Sequence, residues 1–383
     1  MIGIIADDLT GSGDVGLHFA DRGLDTVIQV EQDSVNAVKY RSCDVFIINT
    51  DTRYYEPQAA YEKVRQACII LKALHAERVF KKIDSTLRGN ICAETDALFD
   101  EFNLETLPFC AAFPSMGRTT AGGRHYVHGR LITETEFARD PRNPVKEAAI
   151  NSLFEAGTKN AGSIKSCDAQ TDEDLKRFAG EIIKSGLRVA AGSAGLAREL
   201  ADAWAGSCGR VLAAQAAKPD PGPHPVLIIS ATRSGVTSRQ IEKLKGLHEV
   251  TAVPINFSEG KVRISDWSGG GQGDRSIVIF SDPASSVVSP DNVINVMVRL
   301  CVKLCETGHY TDLVLVGGDT AAGICRALGV KALRIIRSVL PGIAYCGDAG
   351  GRYCFVLKPG SFGTDDTLVK CYRFLNERET KEY

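Results

Sequence analysis

Acidic and basic side chains gather in three short clusters within the first ninety residues. Asp7 and Asp8 stand side by side ahead of Thr10, Gly11, Ser12, Gly13 and Asp14; Asp51 and Arg53 follow; then Lys81, Lys82, Asp84, Arg88 and Gly89 crowd one stretch. A guanidinium fork binds a carboxylate through two parallel hydrogen bonds, and an Asp oxygen accepts from a hydroxyl. Arg53, Lys82 and Arg88 beside Asp7, Asp8 and Asp84 therefore suit a small polyhydroxy carboxylate. The competing reading is that these charges only pair with one another. Arg118 and Arg124, in a later basic and Gly-rich stretch, could join the group.

Glycines dominate the second half. Gly317, Gly318, Asp319 and Thr320 open GGDTAAG, Gly360 and Gly363 belong to KPGSFG, and Ser230 and Ser234 follow an earlier apolar run. Glycines at strand ends let a phosphate approach main-chain N–H groups, and a helix starting there adds a favourable dipole. The Walker pattern GxxxxGK[ST] is absent. Gly11, Gly13 and Gly16 do satisfy GxGxxG, with Glu31 about where a ribose-binding acid would stand. Against a dinucleotide, Asp7 and Asp8 lie between strand and glycines and would repel a pyrophosphate. His125 and His128 are too few for zinc, so no metal site is expected in the protein itself. The Gly-x-Ser-x-Gly elbow is missing.

The elements that must position these residues follow an α/β rhythm. Apolar runs at 2–6, 26–30, 44–49, 78–83, 107–112, 164–167 and 188–191 read as strands, most of them delivering a polar or Gly-rich loop at their carboxyl ends. Helices are expected at 15–22 and 59–74, after Thr171 or Asp172, and after 192–195. Beyond Pro219, Pro221, Pro223 and Pro225, which read as a linker, strands are expected at 226–230, 276–280, 313–316 and 353–357 and a helix at 293–307. Residues 265–274 read as a surface loop. The expected fold is α/β with two domains, 1–218 and 219–383, each a largely parallel sheet flanked by helices, and the active site in the cleft between them.

Composition sets bounds on partners. A chain of 383 residues with 44% hydrophobic residues, 24% charged residues and a net charge of −2 has ample core and no overall basic surface. Nucleic acid or an anionic membrane as main partner is thereby disfavoured. Twelve cysteines without a C-x-x-C pair read as core thiols in a reducing, cytoplasmic setting. No signal peptide and no apolar run of membrane length is visible.

The blocks ADDLTGSGD at 6–14, DTR at 51–53, KKIDSTLRG at 81–89, FPSMGRTT at 113–120, GSAGLA at 192–197, GGDTAAG at 317–323 and LKPGSFG at 357–363 run in register along nearly the whole chain. Together they resemble the four-carbon acid sugar kinase family. The resemblance implies ATP-dependent phosphorylation of a sugar acid such as threonate, erythronate or an oxo-tetronate. The N-terminal domain would hold the acid, and the C-terminal domain would hold ATP with Mg²⁺ bridging its oxygens. Asp8, Arg53, Lys82, Asp84 and Arg88 would line the acid site, with Asp7 and Gly89 beside them. Asp8 or Asp84 would take the hydroxyl proton, while Lys82 and Arg88 hold the carboxylate or the transferring phosphoryl. Ser234, Gly317, Gly318, Asp319, Thr320, Gly360 and Gly363, with Ser230, would hold ATP. Two positions depart from the family pattern: many relatives carry Glu where Asp319 stands, and Ser or Gly at Pro359. A homodimer is a further possibility. Two rival readings remain, a sugar-acid dehydrogenase or isomerase supported by Gly11, Gly13 and Gly16, and a non-catalytic sugar-acid sensor.

Overall fold

The computed structural model describes residues 1–32, 37–207, 225–258, 261–264, 275–282, 285 and 289–376. The chain divides into two compact units, Met1–Ala214 and Gln215–Tyr383. Pro219, Pro221 and Pro223, the expected boundary between 218 and 219, and the loop expected at 265–274 lie outside the described residues.

In the first unit the strands are β1 (Ile2–Ala6), β2 (Thr26–Gln29), β3 (Val45–Asn49), β4 (Arg78–Lys82), β5 (Leu107–Cys110), β6 (Arg118–Ala121), β7 (Arg124–Val127), β8 (Arg130–Leu131), β9 (Ile164–Ser166) and β10 (Val189–Gly192). Seven of them form a sheet in the order β2-β3-β1-β4-β10-β5-β9, and every pair in it is parallel. Ile2, Ile4, Ile5, Val45, Ile47, Ile48 and Phe80 are buried, the near-continuous apolar signature of strands covered on both faces. The helices are α1 (Leu9–Ala20), α2 (Pro57–Ala73), α3 (Ile91–Phe102), α4 (Ile150–Gly157), α5 (Asp172–Lys184) and α6 (Ala194–Ser207). α1 packs on α6 and α6 on α5, while α2 packs on α3 and α3 on α4. Gly3 in β1 faces α2, because a Cβ there would meet the Leu71 side chain at 2.7 Å.

The helix expected at 15–22 in fact begins at Leu9, so most of the stretch read as a polar loop is helix. Its glycines carry little helical propensity, but Asp8 compensates as N-cap by accepting the Gly11 N–H. Thr171 caps α5 in a reciprocal capping box with Asp174, settling the choice between Thr171 and Asp172. β6, β7 and β8 form a separate antiparallel sheet that periodicity did not reveal.

The second unit contributes β11 (Val226–Ser230), β12 (Val250–Ser258), β13 (Lys261–Ile264), β14 (Ser276–Ser281), β15 (Asp312–Val316), β16 (Ala332–Leu340), β17 (Ile343–Asp348) and β18 (Cys354–Lys358), ordered β13-β12-β14-β11-β15-β18-β17-β16. The run from β12 to β18 is parallel; β13, β17 and β16 pair antiparallel at its flanks. Its helices are α7 (Gly235–Leu244), α8 (Pro290–Cys305), α9 (Gly318–Ala327) and α10 (Thr367–Asn376). Val226, Ile228, Val314, Val316 and Val356 pack against Ile241 and Leu244 of α7 and Leu368, Tyr372 and Leu375 of α10. The α/β, two-unit architecture is thus as expected. The cysteines among the described residues are all free. No helix among the described residues is long and apolar enough to cross a membrane.

Candidate functional site

Parallel register brings the first set of residues to one sheet edge. Ala6 pairs with Asn49 on one side and Lys82 on the other, and Lys82 pairs with Gly192, so the carboxyl ends of four strands align. Asp7 and Asp8, the 50–53 turn and the 83–89 loop leave from this edge, where ligands of open α/β sheets sit. Asp51 (φ 54) and Leu87 (φ 57) hold left-handed backbone in two of these loops. Such strain, about 1–2 kcal/mol for a residue with a Cβ, persists where the surroundings over-determine it.

Two ion-pair systems meet at this edge. Arg53 donates through Nε to Asp7 Oδ2 (2.8 Å) and through Nη2 to Asp8 Oδ1 (3.0 Å). Asp8 also accepts from the Gly11 N–H (2.9 Å) and from Thr10 Oγ1 (2.8 Å). Arg88 Nε donates to Asp84 Oδ2 (2.6 Å), which accepts from Thr86 Oγ1 as well, and Arg88 Nη1 reaches Asp140 Oδ2 (3.2 Å). Burial opposes the charge on Asp7 and Asp84. Arg53, with Lys81 and Lys82 for Asp7, and Arg88 with Arg53 for Asp84, outweigh that penalty and hold both carboxyls below their ordinary range. Asn143 ties the loops together, donating to the Arg53 carbonyl and accepting from the Gly89 N–H, both at 3.2 Å.

Lys82 differs from these arginines. It is buried, its Nζ donates to the Ile83 carbonyl at 2.8 Å, and no carboxylate among the described residues lies within ion-pair distance. The bare Gly11 leaves room for the Asp8 carboxylate and for Lys82: an added Cβ would collide with Asp8 Oδ1 and stand 3.2 Å from Lys82 Nζ. Lys81, on the same strand, instead pairs with Glu94 of α3 at 2.8 Å, both essentially fully buried, and Glu94 also accepts from Thr52 Oγ1 (2.5 Å). That pair pins the 50–53 turn from beneath.

Asp14 lies one helical turn after Gly11 on α1. It is buried, and its Oδ1 has no hydrogen-bond partner. Burial raises its pKa to about 7; Lys82 and Arg118 pull it down while Asp8 and Asp84 push it up, which places it among these side chains. Arg118, buried on β6, also interacts with Asp84. Arg124 is exposed on β7 and does not join the cluster. His125 is buried, with Nδ1 on Thr120 Oγ1 of β6 (3.0 Å) and Nε2 on the Ser85 carbonyl (2.8 Å), so it links β6 to the 83–89 loop.

In the second unit, Ser230 pairs with Val316 and Val316 with Lys358, so β11, β15 and β18 end together. Gly317 (φ 95) precedes α9, whose first amides belong to Gly318, Asp319 and Thr320; Ser234 precedes α7 without making a cap hydrogen bond. The first N–H groups of a helix lack internal partners and attract anions. Ser230 Oγ is buried without a hydrogen-bond partner. The Lys358 ammonium, also buried, donates among the described residues to the carbonyls of Pro359 (2.8 Å) and Gly360 (3.4 Å), and burial lowers its pKa to about 7. From α7, Thr237 donates to the Gly360 carbonyl (2.6 Å) and Gln240 to those of Phe362 (3.0 Å) and Thr364 (2.9 Å). Gly363 (φ 90) leaves no room for a Cβ beside Thr367.

The structure therefore gathers Asp7, Asp8, Arg53, Lys82, Asp84, Arg88 and Gly89 at one edge, and Ser230, Ser234, Gly317, Gly318, Asp319, Thr320, Gly360 and Gly363 around the strand ends of the other unit. The reading that the charges pair with one another also holds for Arg53 and Arg88. Gly11, Gly13 and Gly16 lie inside α1, and Asp8 occupies the Gly11 amide, so they do not form a dinucleotide loop. Sequence reasoning passed over Asp14, Asp140, Asn143 and Lys358. Asp14 stood inside a quoted block, and Lys358 was a charge at the end of an apolar run, a signal of the kind used elsewhere.

A model of a sugar-binding N-terminal domain matches residues 2–166, and one of a nucleotide-binding C-terminal domain matches residues 227–368. The D-threonate kinase of Cupriavidus necator is 30% identical, the alignment covering 98% of each chain. The D-erythronate kinase of Heliobacterium modesticaldum is 26% identical over 99% of this chain and 98% of its own. A solved structure from Salmonella typhimurium LT2 shares the fold with a TM-score of 0.75 at 21% identity, covering 97% of this chain and 98% of that one. With both domains matched in order and relatives aligned end to end, the chain belongs to the four-carbon acid sugar kinase family.

Proposed function

We propose that this protein transfers the γ-phosphoryl group of ATP to a hydroxyl of a four-carbon sugar acid such as threonate, erythronate or 3-oxo-tetronate. The observation that carries the reading is Lys82, a buried ammonium without a carboxylate partner among the described residues, set among carboxylates that can accept from hydroxyls. Arg53 and Arg88 frame that position, already held by Asp7, Asp8 and Asp84, so the acid meets a preorganised surface rather than mobile side chains.

The residues of the second unit fit a polyphosphate. The first amides of α9, the hydroxyls of Ser230 and Ser234, and the loop carrying Gly360 and Gly363 would hold it, with Lys358 beneath that loop. Mg²⁺ held with the polyphosphate by these residues would supply charge neutralisation. In-line transfer requires the phosphoryl group held by one unit to reach the hydroxyl held by the other. The free cysteines support a reducing, cytoplasmic setting.

An ADP-release screen over the three acids, paired with thermal shifts in ATP, NAD and NADP, tests the reading. Acid-dependent ADP formation and stabilisation by ATP are expected. Acid-dependent reduction of NAD would replace the kinase with a dehydrogenase, and stabilisation by an acid without ADP formation would make the protein a sensor.

A further inference from the structure

We infer that Asp14, rather than Asp8 or Asp84, is the general base that takes the proton of the attacking hydroxyl. The inference rests on the kinase reading above and adds a residue role to it.

The geometry narrows the choice. Asp8 already accepts from the Gly11 amide, Thr10 and Arg53, and Asp84 from Thr86 and Arg88. Both oxygens of Asp8 are thus engaged by donors, and Arg88 with Arg53 holds the Asp84 carboxyl below its ordinary range, where it takes up a proton poorly. Two buried carboxyl oxygens of the cluster have no hydrogen-bond partner among the described residues, Asp7 Oδ1 and Asp14 Oδ1. Asp7 spends its other oxygen on Arg53, and Arg53, Lys81 and Lys82 hold its pKa down. Asp14 faces Lys82 from the end of β4, Asp8 from the cap of its own helix, Asp84 from the 83–89 loop and Arg118 from β6, and its value of about 7 suits a base near neutral pH. Gly11 and Asp14 share one face of α1, and the space beside Gly11 is filled by Asp8 Oδ1 and bordered by Lys82 Nζ. An acid whose carboxylate is held by Lys82 therefore presents its hydroxyls beside Asp14.

The hydroxyl oxygen forms a bond to the γ-phosphorus while its proton passes to the Asp14 carboxylate. The bond between that phosphorus and the β–γ bridging oxygen breaks, and its electron pair leaves with ADP. Asp14 returns the proton to water once the products depart.

The test compares wild type with Asp14→Asn, which keeps size and shape, using ATP and each of the three acids. The expected result is a kcat lower by about 10²–10⁴-fold, the usual weight of a general base, with KM for the acid within about threefold. Wild-type kcat/KM should fall on an acidic limb between about pH 6 and 8, and that limb should be missing from the residual activity of the variant. A variant that keeps kcat within threefold, or loses only KM, overturns the assignment. If Asp14→Asn does not fold, a wild-type profile flat from pH 5.5 to 8.5 overturns it instead. Wild type that turns over none of the acids sinks the kinase reading itself, an outcome separate from failure of the base assignment alone.

Discussion

Gly11 and Asp14 show how single residues tune this site. An added Cβ at Gly11 would collide with the Asp8 carboxylate and press on Lys82 Nζ. Gly11→Ala should therefore lower kcat/KM for the acid by about 10–100-fold through misplacement, with the melting temperature changed by only a few degrees; unchanged kinetics would show that Lys82 does not need the space. Asp14 carries a stability signature of its own. Its folded pKa of about 7 lies above the ordinary carboxylate range, so between about pH 4 and 7 the native state holds more protons than the unfolded chain, and stability falls as pH rises through that window. Asp84 acts in the opposite sense: its depressed pKa gives stability that is present above about pH 4 and lost in stronger acid. Urea unfolding of Asp14→Asn and wild type should thus diverge with pH, the variant gaining about 2–3 kcal/mol relative to wild type between pH 5 and pH 8. A difference independent of pH would contradict the burial of a titrating carboxyl there. Asp7, Asp8, Arg53, Lys82, Asp84 and Arg88 were legible in the sequence because each follows an apolar run and so had to fall at a strand end. The role of Asp14 was not, since it depends on α1 beginning at Leu9 and on the gap at Gly11, neither of which spacing reveals.

At the scale of elements, the site depends on how helices and strands are pinned. The buried Lys81–Glu94 pair links β4 to α3, and Glu94 also holds Thr52 one residue before Arg53. Removing one member of a buried pair leaves an uncompensated charge, so Glu94→Ala should cost about 3–5 kcal/mol in chemical denaturation; a loss under 1 kcal/mol would mean that water reaches Lys81. In the second unit, Gly317 holds φ 95 where α9 begins. Gly317→Ala should store about 1–2 kcal/mol of strain and raise KM for ATP roughly tenfold without a matching change in KM for the acid. Most of the parallel strands were legible because burial on both faces leaves continuous apolar runs; β12, half-buried at Thr251, Ala252, Pro254 and Asn256, was not. β16 and β17 were not, since β16 grades from buried to half-exposed along its length and loses that signature. The start of α1 was not legible because Gly11 and Gly13 read as turn formers, and the Asp8 cap is what makes that stretch helical.

For the whole molecule, composition and the order of blocks carried more than any one motif. A near-neutral chain with two α/β halves admits many activities, and GxGxxG pointed to a dinucleotide that the structure does not support. The match to a sugar-binding N-terminal domain followed by a nucleotide-binding C-terminal domain is what narrows the choice to phosphoryl transfer. The most direct measurement is ³¹P NMR of the protein incubated with ATP, Mg²⁺ and a four-carbon sugar acid. The account expects a new phosphate-ester resonance growing one for one with ADP, and only when the acid is present. ADP accompanied by inorganic phosphate alone, or no consumption of ATP with any of the three acids, would contradict it.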